Sequence, residues 1–506
     1  MAGGLDRDAG CDRPGSSGAR RRLTRAALAV DAATPTSRDR YLDLLRLVSL
    51  VVVVLAHWAL VLVVLDGTQD LARSPLAVAS TWLLMVMPLF FAVGGATHAR
   101  TLSRADRPPY ARFVLARAER LLGPVVALLG VWAAASALAS GAVALGVVGS
   151  LPAPVALAVD NVSTPLWFVG VYLLVVVLAP AMHALHRRHR VATLLALVAA
   201  VVAVDAVRFG WLAGDGVPVA GLADLVLVWL TIHQLGFVWY DRTALPAIRP
   251  DGSRPRPTGS VRVGLVLLLL GWGTAGVLAA TGAYPADMQG LPGNEDVAGN
   301  NFLPPTAALL AHGVGLLGLA LVLRPVLTRV LRVPVVWLTV VSGSRVLMTL
   351  FCWHLTAAYL VVGVLLLTGL ALPAAGSVAW WWLLLGVEVA CAAVLAGLVA
   401  LARRGEDWAL LGAARSTVGG RRAALVAVAA ATTTAVGVYL VSQVGLDGWL
   451  DGTPEALRAA PGLSVSSTVG VVVLGLGVLG LRALAGSTSR PQPPARSVSA
   501  SRSTST

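Results

Sequence analysis

Twelve apolar runs punctuate this chain, and they leave very few folds open to it. They lie near 42–65, 76–98, 121–141, 164–185, 191–207, 220–240, 262–283, 305–323, 346–370, 378–402, 422–444 and 463–481. A membrane span needs about 20 apolar residues, because each helical residue covers only ~1.5 Å of a hydrocarbon core about 30 Å thick. Within that core every backbone N–H and C=O must be satisfied without water, which leaves helices and closed barrels. The runs therefore predict an all-α polytopic membrane bundle. Composition agrees: 57% of residues are hydrophobic and 13% charged, against about one quarter charged in soluble domains. A mean hydropathy of +0.79 excludes a water-soluble enzyme and a disordered basic protein. Residues 334–341 form a further apolar stretch, too short to cross, which reads as interfacial or re-entrant.

The net charge of +14 comes from 39 basic residues, all of them arginine. With a cytoplasmic N-terminus and twelve spans, 36 of the 39 fall on the inner side and only Arg73, Arg208 and Arg458 fall outside. That is the positive-inside pattern. The basic excess then encodes orientation, with both termini cytoplasmic and the plasma membrane as the expected location. The bilayer is the expected partner and nucleic acid is not. Residues 1–40 and 486–506 read as disordered cytoplasmic tails, and no signal peptide is apparent in the first. The three cysteines show no disulfide or metal spacing, so no metal site is expected. The outer segment 284–304 is rich in Gly, Pro and Asn and reads as a structured turn region.

Ionisable side chains inside spans are costly and mark functional candidates. The first span runs from Arg40 through Asp43 and Arg46 to His57. At 100° per residue, Arg46 and His57 differ by about 20° and Asp43 by about 40° the other way, so all three share one stripe. Asp43 and Arg46, at i and i+3, are placed to pair. His57 lies roughly 16 Å deeper than Arg46, and an imidazole there suits proton transfer. A plain interhelical histidine is the competing reading. The loop after the second span carries six arginines between 100 and 120, with Arg112, Arg117 and Arg120 just before the third span. They suit phosphate, although topology and lipid headgroups explain arginine there equally well. His354 and Glu388, buried in the ninth and tenth runs, are candidate cavity residues. His312, His233, Asp224 and Asp205 are weaker ones, and Asn301 with Pro304-Pro305 is placed to shape an entrance. Trp380-Trp381-Trp382 reads as an interfacial belt.

Five motifs recur in one order: Arg46-x10-His57, Phe90-Phe91-x-x-Gly94-Gly95, Arg117-x-x-Arg120, Leu166-Trp167-Phe168 and Trp353-His354. Together they resemble the membrane-bound acyltransferase-3 family, which O-acylates sugars, cell-wall glycans and antibiotics. The resemblance covers about residues 38–402. It implies a ten-helix acyltransferase-like domain over 41–402, followed by a two-helix extension over 403–485. It implies His57 as the catalytic histidine with Arg46 as its partner; the i,i+3 spacing separately makes Asp43 the candidate to orient Arg46. Arg117 and Arg120, with Arg112 beside them, would hold the coenzyme A side of the donor, and Trp167 and His354 would line the substrate path, which Glu388, as an intramembrane carboxylate, is also a candidate to line. Acyl-CoA, with acetyl-CoA expected, is then a donor substrate and no bound cofactor is required. The acceptor would be a hydroxyl on a glycan or small molecule of the cell envelope or secondary metabolism. Gly94 stands where family members often have serine, and no hydrolase-like domain is appended. Direct transfer and a covalent acyl-enzyme relay both remain open. A twelve-span secondary transporter is the main alternative, and a non-catalytic partner in envelope assembly is a third.

Overall fold

A computed structural model describes residues 16–35, 38–66, 70–147, 149–150, 152–210, 218–244, 260–291, 300–406, 410–411, 419–450 and 452–486. The described helices are α1 (Ser16–Ala32), α2 (Arg40–Asp66), α3 (Asp70–Arg73), α4 (Pro75–Leu84), α5 (Met87–Leu102), α6 (Tyr110–Ala144), α7 (Ala153–Asn161), α8 (Trp167–Arg208), α9 (Asp224–Ala244), α10 (Ser260–Ala280), α11 (Ala307–Val330), α12 (Pro334–Leu367), α13 (Val378–Glu406) and α14 (Arg421–Val444). A hairpin of β1 (Pro454–Leu457) and β2 (Ala460–Ser466) follows, then α15 (Ser467–Gly486). Among the described residues, eleven helical segments are long and apolar enough to cross a membrane. The chain is a polytopic helical bundle.

One of the eleven segments, Val155–Arg208, contains both the fourth and the fifth apolar runs. A straight helix as long as α8 would measure about 63 Å, twice the hydrocarbon thickness. It is not straight: His189 has non-helical backbone angles (φ −140°, ψ 53°). The ring of Trp167, at the start of α8, lies 4.9 Å from that of Phe302. Arg208, at its end, donates to the carbonyls of Pro304 (3.1 Å) and Asn300 (3.4 Å). Both ends thus reach the same loop, and the chain reverses at His189. There His186 (3.0 Å) and Arg190 (2.7 Å) both bond the Asp241 carboxylate of α9.

The second run is broken in two. Met85 and Val86 separate α4 from α5, and Pro88 in the first turn of α5 has no N–H to continue the ladder. His312 Nε2 of α11 satisfies the Met85 carbonyl at 3.2 Å. Broken backbone within a span survives only where protein or a cavity takes up its polar groups.

Three expectations need correction. Ser16–Ala32, placed in a structureless tail, is a helix. It is tied to the bundle on both sides: Asp31 pairs with Arg40 of α2 at 2.5 Å, and just after the helix Thr34 accepts from Trp337 Nε1 of α12 at 2.7 Å. The rest of the two expected tails, residues 1–15 and 487–506, lies outside the described residues. The stretch 334–341 is neither interfacial nor re-entrant; it is the start of the continuous helix α12. Arg112, Arg117 and Arg120 are not in a loop, because α6 already begins at Tyr110.

Small residues set the closest helix crossings, as expected where lipid supplies no hydrophobic drive. A Cβ on Gly95 of α5 would fall on the His233 backbone carbonyl of α9, and one on Gly236 would fall on that of Ala92. Gly95→Val is therefore expected to destabilise the fold by about 1–3 kcal/mol. Melting of the purified protein in detergent checks this against Gly273→Ala, where the space is open. Equal melting temperatures for the two variants would contradict so close a crossing.

The segment 284–304 folds as a turn where it is described. Asn301 Nδ2 donates to the carbonyls of Pro285 (2.7 Å) and Asp287 (2.8 Å), and Thr306 donates to Asn301 Oδ1 (2.8 Å). Tyr284 anchors it to α8 by donating to Asp205 Oδ2 at 2.8 Å. Burial beside that carboxylate pushes the Tyr284 phenol above its ordinary range. At the C-terminal end, Gly437 and Gly477 let α14 and α15 meet, and Gly170 of α8 sits under α14.

Candidate active site

Helix α2 carries His57 into a pocket at the end of the bundle nearest the 284–304 turn. The pocket's cavity volume is about 100 Å³, room for a small reacting group beside His57 rather than for a whole substrate molecule. Its walls come from α2 (Val53, His57), the α4–α5 break (Met85, Met87), the start of α8 (Trp167, Phe168), α12 (Phe351) and the turn (Gln289, Phe302). The helix break therefore has a use: it opens backbone and two flexible methionines onto the cavity. Hydropathy does not reveal that break, although Pro88 within the second run was its signal.

His57 meets His354 of α12. The His354 Nε2 to His57 Nδ1 distance is 3.2 Å, and the rings are 5.0 Å apart at 45°. His354 Nδ1 lies 2.5 Å from the Phe351 carbonyl. Trp58, next to His57, donates to the His354 carbonyl at 2.8 Å. Two adjacent residues of α2 thus grip one residue of α12. The fold brings His57, Trp167 and His354 together, and Glu388 does not line this pocket. Glu388 sits on α13 with Oε2 buried, three residues from buried Cys391.

Eleven residues back along α2, about 16 Å by helical rise, lies a cationic cluster. Arg46 donates to Thr97 of α5. Its expected partner Asp43 is 3.9 Å away and is held instead by Arg38 Nε at 2.7 Å. The pairing of Asp43 with Arg46 is thus loose, because a nearer guanidinium outside the span competes for the carboxylate. Arg117 of α6 donates to Thr101 (3.2 Å) and to the Phe113 carbonyl (3.1 Å), and its guanidinium lies 3.5 Å from the Phe113 ring centre. Among the described residues no carboxylate pairs with Arg117. Arg46 and Arg117 interact electrostatically with one another and with Tyr172 and His98. Two half-buried guanidiniums, one with a carboxylate only at 3.9 Å, are the candidate donors for an anion. Arg112 and Arg120 are exposed on the same helix.

Little in the spacing of residues marks the layer between these two zones. His98 is buried in α5, and its Nδ1 lies 2.9 Å from Nε2 of His233 on α9. Tyr172 of α8 explains Gly94: a Cβ there would lie 2.7 Å from the phenol oxygen. Of the weaker candidates, His312 holds the α4–α5 break, as described above. Asp205 and Asp224 are buried beside Arg208 near the 284–304 turn. Asp205 Oδ2 accepts from Tyr284 and from the Ala307 N–H at 2.8 Å each, which fastens the turn to α8 and α11.

Comparison with known proteins gives one positive finding. A family model described as an acyltransferase domain, that of the acyltransferase 3 family, matches residues 39–398. No curated protein and no solved structure matches the chain. Helices α14 and α15 and the hairpin between them lie beyond the matched residues.

Proposed function

The chain belongs to the acyltransferase 3 family, and from that membership we propose that it moves an acyl group from cytoplasmic acyl-CoA to a hydroxyl acceptor. Acetyl-CoA is the donor we expect. The acceptor is a sugar, a glycan or another envelope or secondary-metabolite hydroxyl. The observation that carries this reading is the pairing of two zones on one helix: His57 in an apolar pocket and, one span-half away, Arg46 beside Arg117.

The chemistry divides between them. The guanidiniums of Arg46 and Arg117 hold donor phosphates, with Arg112 and Arg120 at the approach. His57 takes the proton of the acceptor O–H. The oxygen attacks the thioester carbonyl, the C–S bond breaks, and the departing thiolate recovers a proton to leave as free coenzyme A. Trp167 and Phe168 exclude water from the pocket. Asp43 acts at a distance, through the arginines of the α2 start. In a covalent variant His57 accepts the acyl group first and passes it to the acceptor.

The eleven candidate segments become twelve crossings when the arms of α8 on either side of His189 are counted separately. With the arginine distribution, that count supports our reading of both termini as cytoplasmic and the 284–304 turn as outside, in a multi-pass plasma-membrane protein. The donor then arrives from the arginine side, and the acceptor enters past Gln289 and Phe302.

The test uses purified full-length protein, labelled acetyl-CoA and a panel of hydroxyl acceptors. Release of one free thiol per acetylated product is the expected result. Uptake of an acceptor into proteoliposomes with no thiol release would overturn this reading in favour of transport, which the broken α4–α5 span also suits.

A further inference from the structure

We infer that His354 is a positioning residue that fixes His57 in the tautomer with a bare Nε2. The inference rests on the reading of His57 as the base. Its chain of acceptors starts at a backbone carbonyl. The Phe351 oxygen has no hydrogen to give, so the 2.5 Å contact places the hydrogen on His354 Nδ1. A neutral imidazole protonated at Nδ1 has a bare Nε2. That nitrogen lies 3.2 Å from His57 Nδ1, which must therefore donate to it. With Nδ1 committed as donor, His57 keeps its lone pair on Nε2. His57 lines the pocket with Trp167, Phe168 and Phe302.

Serine hydrolases orient a histidine base with a carboxylate behind it. A carboxylate at this depth would be expensive among apolar helices. A second imidazole, wholly buried and itself tied to a carbonyl, gives the same orientation without burying a charge. When His57 takes the acceptor's proton at Nε2, its Nδ1–H still has an acceptor in His354, so the cation forms with its hydrogen bond already made. The Trp58 bond to the His354 carbonyl holds α2 and α12 in the register this needs.

The test combines a spectroscopic and a kinetic readout on the full chain in bilayers. Solid-state 15N NMR of histidine-labelled protein, assigned with His57→Ala and His354→Ala, is expected to show His57 with protonated Nδ1 and bare Nε2. In His354→Ala that single tautomer is expected to become a mixture. The same variant is expected to lose kcat by at least about tenfold, within the range a general base contributes, with little change in donor KM. His354→Gln, whose amide oxygen can accept, is expected to recover part of the loss. A bare Nδ1 on wild-type His57, or full kcat in His354→Ala, would overturn the inference. Full turnover in His57→Ala sinks instead the reading of His57 as base, and the NMR result separates the two failures.

Discussion

His57→Ala is expected to lower acyl transfer by about a hundred- to ten-thousandfold, the contribution of a positioned general base. The expected loss is in kcat. The donor phosphates are held near Arg46 and Arg117, about 16 Å down the helix, so donor KM is expected to stay close to wild type. His57 is partly accessible inside its pocket, and alanine leaves a hole there without disturbing Trp58, which keeps its bond to His354. The variant is therefore expected to remain in the membrane with a melting temperature near that of the wild type. Free-thiol release, measured beside that melting temperature, separates lost chemistry from lost fold. Wild-type turnover in the variant would remove His57 from the mechanism.

Arg117→Ala is expected to act on the other half of the reaction. A charge-assisted hydrogen bond contributes about 1.5–3 kcal/mol, so donor KM is expected to rise roughly ten- to a hundredfold. The product's dependence on acceptor concentration is expected to change little. Arg117→Lys is expected to recover only part of the loss, because an ammonium on a flexible stem lacks the planar fork that bonds Thr101 and the Phe113 carbonyl while lying over the Phe113 ring. Arg120→Ala is expected to be milder and more dependent on salt, since that side chain is exposed and screened. Steady-state kinetics against acetyl-CoA at two ionic strengths checks all three. A kcat effect with unchanged KM in Arg117→Ala would contradict a donor-side role.

Much of this architecture is legible in the sequence, and the failures have physical reasons. Long apolar runs reveal spans because the bilayer imposes a length and forbids unpaired backbone. His354 bonds His57, and Trp167 lines the same pocket. What periodicity cannot show is a partner from far along the chain. His98 and His233 are 135 residues apart, and only the Gly95–Gly236 crossing brings their helices close enough to bond. The break at Met85 depends on His312, 227 residues away, to take up its carbonyl. The loose Asp43–Arg46 contact arises because i,i+3 spacing permits a pair without excluding a better one, here Arg38. The helix Ser16–Ala32 was hidden by its arginines. They read as a solvated tail, while Ala27 is buried and the residues after it reach Arg40 and Trp337. The β1–β2 hairpin escaped because its strands are rich in Pro, Gly and Ala, and its turn is held from α14, where Ser442 accepts from Arg458 and Gln443 from the Ala459 N–H.

Vesicles of known orientation test the two-zone arrangement most directly. Protein reconstituted with its arginine-rich face exposed is supplied with labelled acetyl-CoA, and a hydroxyl acceptor is enclosed within. Labelled acceptor inside, with one thiol released outside per acyl group transferred, is the expected result, and the opposite orientation is expected to give none. Equal transfer from either orientation, or acceptor modified without release of thiol, would contradict it.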